Sequence, residues 1–137
     1  MNKTITVETV VDKDVDTVWD LWTKPEHITK WAFASDDWEC PYAENEVEVG
    51  GRFLSRMSAK DKSQSFDFKG VYTEVEPNEH LSYTIDDGRK VDVTFNEEDN
   101  GVRIIETFEM ENENSEEMQR AGWQAILNNF KAYAETE

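Results

Sequence analysis

No internal disulfide is possible in this chain, because Cys40 is its only cysteine. A lone thiol fits a reducing compartment, so a cytoplasmic protein is expected. Proline is also scarce, three among 137 residues, and no proline-rich linker or low-complexity stretch divides the chain. A single domain, residues 1–137, is therefore expected. No apolar run approaches the ~20 residues that a membrane helix needs, so membrane insertion is not expected. The amino terminus, MNKTITVETVV, lacks an apolar core and a small-residue cleavage site and does not read as a signal peptide. There are only two histidines, His27 and His80. Each sits in a polar stretch with no helical or hairpin partner of ligand type, and no HExxH or CxxC pattern occurs. Neither a metal nor a cofactor is expected.

Positive charge is the other deficit. Lysine and arginine total 14 against 31 aspartates and glutamates, a net charge of −17. Such a field repels phosphate backbones and anionic membranes, which argues against nucleic acid as a partner. Two readings of the acidity stay open: a surface kept hydrated in a salty cytoplasm, or a cationic partner.

What the chain does have is rings, five tryptophans among them, and two clear periodicities. Thr4 to Val11 alternates as a half-buried strand. Val15, Val18, Trp19 and Trp22 then fall at helical spacing, with Asp14 as the expected cap. Pro25 to Trp31 reads as a second short helix with proline in its first turn. Trp38 to Tyr42 reads as a short edge strand, because Pro41 lacks the amide proton that a central strand would use. After the break at Gly50-Gly51, strands are expected at Arg52–Ala59, Ser65–Val75, His80–Asp86, Lys90–Asn96 and Gly101–Met110. Asp87-Gly88 and Asn100-Gly101 are hairpin turns. The last stretch, Ser115 to Tyr133, carries Met118, Gly122, Trp123, Ile126, Leu127, Phe130, Tyr133 and Ala134 at spacings of three and four. It predicts an amphipathic helix about five turns long. Short loops make the strands an antiparallel meander with one apolar face, and the long helix is its natural cover.

The residues Val18-Trp19-Asp20-Leu21-Trp22, Ile28-Thr29-Lys30-Trp31 and Gly50-Gly51-Arg52-Phe53 form one series with Phe68-Lys69-Gly70-Val71-Tyr72, Pro77 and Leu81-Ser82-Tyr83. Gly122-Trp123 and Leu127 close it. In this order and spacing the chain resembles the START-like (SRPBCC) superfamily, and within it the homologues of the heat-shock protein 90 ATPase activator. The resemblance implies an α+β helix-grip fold. A strongly curved antiparallel sheet of about six or seven strands would wrap around a long C-terminal helix, with two short helices after the first strand. It also implies a cavity between helix and sheet that takes apolar or amphipathic small molecules. It does not imply chaperone activation, since in the activator a separate N-terminal domain contributes much of the chaperone contact.

Under that fold, Trp31, Trp38, Phe53, Met57, Phe66, Phe68, Tyr72, Tyr83, Phe95, Phe108, Met118, Trp123 and Leu127 are expected to wall the cavity. The alternative is that these side chains, with Phe130, meet as a solid core. Gly122 costs about 1 kcal/mol in a helix interior. Close approach of helix to sheet is the preferred compensation, and room for a ligand or a helix bend is the other. Tyr72, Tyr83, Arg52 and Arg56 could orient a ligand, although alternation puts Arg52 outside. Glu74 and Glu106 fall on otherwise apolar faces. Each could serve as a general base, or a β-bulge or strand end could turn it to water, which is the preferred reading. The function expected is non-catalytic binding of a small hydrophobic or amphipathic molecule by a monomer or weak homodimer. The alternatives are a protein-interaction or co-chaperone-like module and a cyclase- or hydrolase-like enzyme.

Overall fold

The computed structural model describes residues 3–137. In chain order the elements are β1 (Thr4–Val11), α1 (Val15–Thr23), α2 (Pro25–Ile28), β2 (Trp38–Asn45), β3 (Arg52–Ala59), β4 (Ser65–Glu76), β5 (His80–Ile85), β6 (Lys90–Glu98), β7 (Gly101–Glu109) and α3 (Glu116–Thr136). The seven strands make one antiparallel sheet in the order β1-β7-β6-β5-β4-β3-β2. From β2 onward each strand pairs with its successor, and β1 closes onto the free side of β7. This is the helix-grip arrangement that the resemblance implies.

Alternation decides which face is buried. Along β7, Val102, Ile104, Glu106 and Phe108 point inward, and Ile5, Val7 and Val11 do so along β1. The sheet curls around α3. Trp123 stacks on Phe108 of β7 with ring centroids 3.9 Å apart, and its edge also meets Phe68 of β4 at 5.9 Å. Those strands lie three places apart, about 14 Å in a flat sheet. One indole touches both rings because the sheet bends them toward it.

Local sequence explains the helix ends. The Asp14 carboxylate accepts from the Thr17 amide at 2.9 Å, and the Ser115 hydroxyl accepts from the Met118 amide at 3.1 Å. The second helix is shorter than the expected Pro25–Trp31. Its last turn tightens, with the Lys30 and Trp31 amides donating to carbonyls three residues back, His27 and Ile28. Trp31 therefore leaves the helix and turns inward, where its indole donates to the Leu21 carbonyl at 3.0 Å. Strand β2 runs further than expected, to Asn45. It stays at the edge and carries a register shift between Glu39 and Tyr42, around Pro41. Two causes divide the Gly50-Gly51 pair. Gly50 has φ +84°, whereas a Cβ on Gly51 would lie 2.2 Å from the Glu46 carbonyl.

Helix α3 also runs along the free edge of β1. Arg120, Gln124 and Lys131 donate to the carbonyls of Thr6, Glu8 and Val10 at 2.9, 3.2 and 2.7 Å. Its inner face puts Leu127, Phe130 and Ala134 in the core.

Gly122 contradicts the close-approach expectation, for a Cβ built on it meets nothing within 4 Å. The glycine leaves unused space and helps no packing. Gly122→Ala should therefore stabilise the protein by about 1 kcal/mol, a rise in Tm of roughly 4 °C. Thermal unfolding of the two proteins measures this, and a lowered Tm would show that the space is needed.

Candidate functional site

Between α3 and the sheet lies a cavity of about 240 Å³, lined by Trp22, Trp31, Met57, Phe66, Phe68, Tyr83, Arg89, Glu106, Trp123 and Ile126. Trp22 comes from α1 and Trp31 from the turn after α2. Met57, Phe68 and Tyr83 are inward residues of β3, β4 and β5. Trp123 and Ile126 hang from α3. Phe66, 52% exposed, stands at the mouth. The walls are mostly aromatic, and among the described lining residues the titratable ones are Tyr83, Arg89 and Glu106.

Those three differ in what they have left to give. Arg89, in the β5–β6 turn, is partly committed. Its Nε donates to Asp87 at 2.8 Å and its Nη1 to the Glu109 carbonyl at 3.2 Å. Glu106 is 6% exposed, and no described residue hydrogen-bonds its carboxyl. Burial alone pushes its pKa from an ordinary 4.5 up to about 8. Tyr83 likewise has no hydrogen-bond partner among the described residues. Burial, then the charge of Glu106, then Tyr72, raise its pKa well above the ordinary tyrosine range. At neutral pH the cavity thus holds a neutral carboxyl and a neutral phenol, both unspent.

Glu106 reaches this position because β7 keeps an unbroken register, pairing Glu106 with Val7 of β1 and Val93 of β6. The expectation that a bulge would turn it to water is corrected. For Glu74 the bulge is real: the β4–β5 register shifts between Tyr72 and Glu74, and Glu74 is exposed.

Six of the thirteen side chains expected at the cavity line it: Trp31, Met57, Phe66, Phe68, Tyr83 and Trp123. Phe53 and Tyr72 line a smaller neighbouring void of about 70 Å³ with Ser55. The Tyr72 hydroxyl is spent, donating to Asn45 Oδ1 at 2.5 Å, while Asn45 donates to the Thr23 carbonyl at 2.6 Å. Burial outweighs that bond and raises the Tyr72 pKa.

The remaining five expectations are corrected. Phe95 packs edge-on against Trp19 and Trp22 in the core. Phe108 lies behind the stacked Trp123. Leu127 is fully buried core. Trp38 sits at the sheet edge against Phe66, their rings 5.9 Å apart. Met118 is 65% exposed, because Gln119 takes the inner face of that first turn. Its amide accepts from the Glu111 backbone and donates to the Glu111 and Asn114 carbonyls.

Trp22, Arg89 and Ile126 were not expected at the site. Trp22 and Ile126 were legible only as members of apolar stripes. Arg89 lies in a turn, where no periodicity applies. Arg56, weighed as a ligand-orienting group, is outside and paired with Asp67 at 2.9 Å.

On the outer face, His80 corrects the expectation that it has no hairpin partner of ligand type. Its Nδ1 lies 3.3 Å from Glu74 and 3.6 Å from Glu76, and its Nε2 lies 2.5 Å from Asp92. Burial pulls the His80 pKa down, but Asp92, Glu74 and Glu76 outweigh it and leave the imidazole above its ordinary value. The surrounding carboxylates favour the protonated imidazole, so the group accounts for itself as an ion-pair cluster.

An AHSA1-like protein from Aeromonas hydrophila, solved in solution, is 42% identical with a TM-score of 0.93 over 98% of this chain and 93% of that one. A solution structure from Cytophaga hutchinsonii is 47% identical with a TM-score of 0.84, covering 97% and 92%. A crystal structure from Chromobacterium violaceum, 23% identical with a TM-score of 0.88 over 98% and 99%, shares the fold. No curated protein matches the chain. The model of one family, the Activator of Hsp90 ATPase homolog 1-like proteins, matches residues 12–135, and to that family this chain belongs.

Proposed function

We propose that the domain binds a small apolar or amphipathic molecule in the cavity under α3 and performs no chemistry on it. The observation that carries this reading is the space itself: about 240 Å³ walled by rings that pack against one another around it and leave it unfilled. An apolar cavity of about 150 Å³ holds a benzene, so this one accommodates a two-ring molecule. Burying a few hundred Å² of ligand surface at ~25 cal/mol per Å² supplies several kcal/mol before ordering costs. The fold commonly serves such binding, which supports the same reading.

A second reading is favoured by the unpaired Glu106 carboxyl beside Tyr83, which has the makings of an acid–base pair. Binding is preferred because the described lining holds no nucleophile and no second carboxylate, and the only other titratable groups are Tyr83 and a partly committed arginine. The co-chaperone-like reading wants a contiguous apolar patch. Among the described residues the exposed large apolar side chains, Tyr42, Val49, Phe66, Val71 and Met118, are instead scattered over β2, the β2–β3 loop, β4 and α3.

Native mass spectrometry of the purified protein, with a screen of lipids and aromatic compounds, tests the proposal. A bound species displaced by Trp123→Ala is the expected result. No bound species, together with a Trp123→Ala variant altered only in stability, would overturn it.

A further inference from the structure

The lining distinguishes one class of ligand from the others. Resting on the binding reading above, we propose that the cavity receives a flat apolar carbonyl compound, whose oxygen accepts hydrogen bonds from both the Tyr83 hydroxyl and the Glu106 carboxyl. Both groups lie in the same buried lining, and neither has a protein partner among the described residues. No fully buried side-chain polar atom among the described residues lacks a partner, so these oxygens open into the cavity, where a ligand oxygen can take the place of water as their partner.

The choice of an acceptor oxygen follows from the surroundings of Glu106. Across the sheet it faces Val7 of β1 and Val93 of β6, both apolar. From β5, two strands away, Tyr83 shares its lining and feels its charge. From the helical side the cavity walls are Trp22, Trp31, Trp123 and Ile126, none of which ionises. Among the described residues Arg89 is the sole cation in the lining, and its charge is answered by Asp87. No base in this shell holds the carboxyl ionised. Burial keeps it neutral up to about pH 8, and a neutral carboxylic acid in an apolar site is a hydrogen-bond donor. Tyr83, with its own ionisation suppressed, is a second donor. Two donors and no free acceptor charge suit a ketone, ester or amide oxygen. An ammonium ligand would require a buried ion pair, whose desolvation offsets much of its attraction. A carboxylate ligand would find Arg89 as its one cation among the described lining residues, and the charge of that guanidinium is already answered by Asp87.

Three molecules of matched shape separate these cases: 2-acetylnaphthalene, 2-ethylnaphthalene and 1-(2-naphthyl)ethylamine. Affinities are measured by isothermal titration, and the indole N–H signals of Trp22, Trp31 and Trp123 locate the occupant. The ketone is expected to bind at least about tenfold tighter than either companion near pH 6.5, the order of a well-made hydrogen bond. Raising the pH through about 8 should weaken ketone binding in the wild type. In Glu106→Gln, which keeps a donor and cannot ionise, that weakening should vanish. Equal affinities for ketone and hydrocarbon would overturn the proposal and leave the binding reading standing. Tightest binding of the amine would also overturn it and make Glu106 an anionic subsite. If none of the three binds, the binding reading for a cavity of this size fails with it.

Discussion

Replacing Glu106 with glutamine is expected to make the protein more stable, by an amount that grows as the solution becomes alkaline. The sign follows from the protons bound. Unfolded, the carboxyl titrates near its ordinary 4.5; folded, near about 8. Between those values the folded state holds a proton that the unfolded state has lost, so rising pH favours unfolding. The contribution of the neutral carboxyl is complete below about pH 4.5, declines through the window and is gone above about pH 8. At about 1.4 kcal/mol for each tenfold, the full swing is about 5 kcal/mol at most, and water entering the cavity would lower it. That is comparable with the whole stability of many small domains. The other acidic residues also titrate, but they are common to both proteins and cancel in the difference. Urea unfolding of wild type and Glu106→Gln from about pH 5 to pH 9 measures it. The curves should nearly coincide at the acid end and diverge toward alkaline pH. A constant separation would mean that the folded carboxyl is hydrated.

Phe130→Ala should produce the largest loss of stability among single side-chain truncations of α3. The ring is fully buried, with its centroid 4.9 Å from both Trp22 and Trp31. Removing it deletes transferred surface and leaves a hole between two large rings that cannot both collapse into it, a cost of about 3–5 kcal/mol. Because those tryptophans also wall the cavity, the variant should shift their fluorescence as well. Met118→Ala on the same helix is the control. Its side chain is exposed, and the change should stay within about 0.5 kcal/mol. Similar losses for the two variants in denaturant unfolding would refute the assignment of the inner face.

The fold was readable because its determinants are local and repetitive. Period-two alternation from β3 to β7, turn residues between the strands and one long 3.6-period stripe leave few ways to bury the apolar faces. The cavity was readable only in part. Alternation brought Met57, Phe68 and Tyr83 to the inner face, but it cannot say how deep a ring reaches. Phe95 and Phe108 therefore belong to the core although they share that face. Met118 misled because a helical stripe in sequence does not show where the helix overhangs its floor, and Gln119 ties down the preceding loop instead. Glu74 and Glu106 had the same signature, a carboxylate in an apolar series. What separates them is a shift in strand pairing beside one and none beside the other, and register is a property of two strands together. Arg89 had no signal because its position depends on how a turn closes over a neighbouring strand.

The hydrogen bonds from Arg120, Gln124 and Lys131 to β1 have a consequence for self-association. Every open sheet has two borders at which an incoming strand could be templated. At one border the outward carbonyls of Thr6, Glu8 and Val10 are already occupied by helix side chains. A foreign strand would have to displace two cations and an amide before pairing there. At the other border, β2 presents Pro41, an irregular register and the carboxylates of Glu39 and Glu44. Proline withholds a donor, the irregularity spoils the spacing, and a second copy of this acidic chain would bring like charge against like. Fibril-like stacking through strand addition is thereby blocked twice, by occupation on one side and by mismatch on the other.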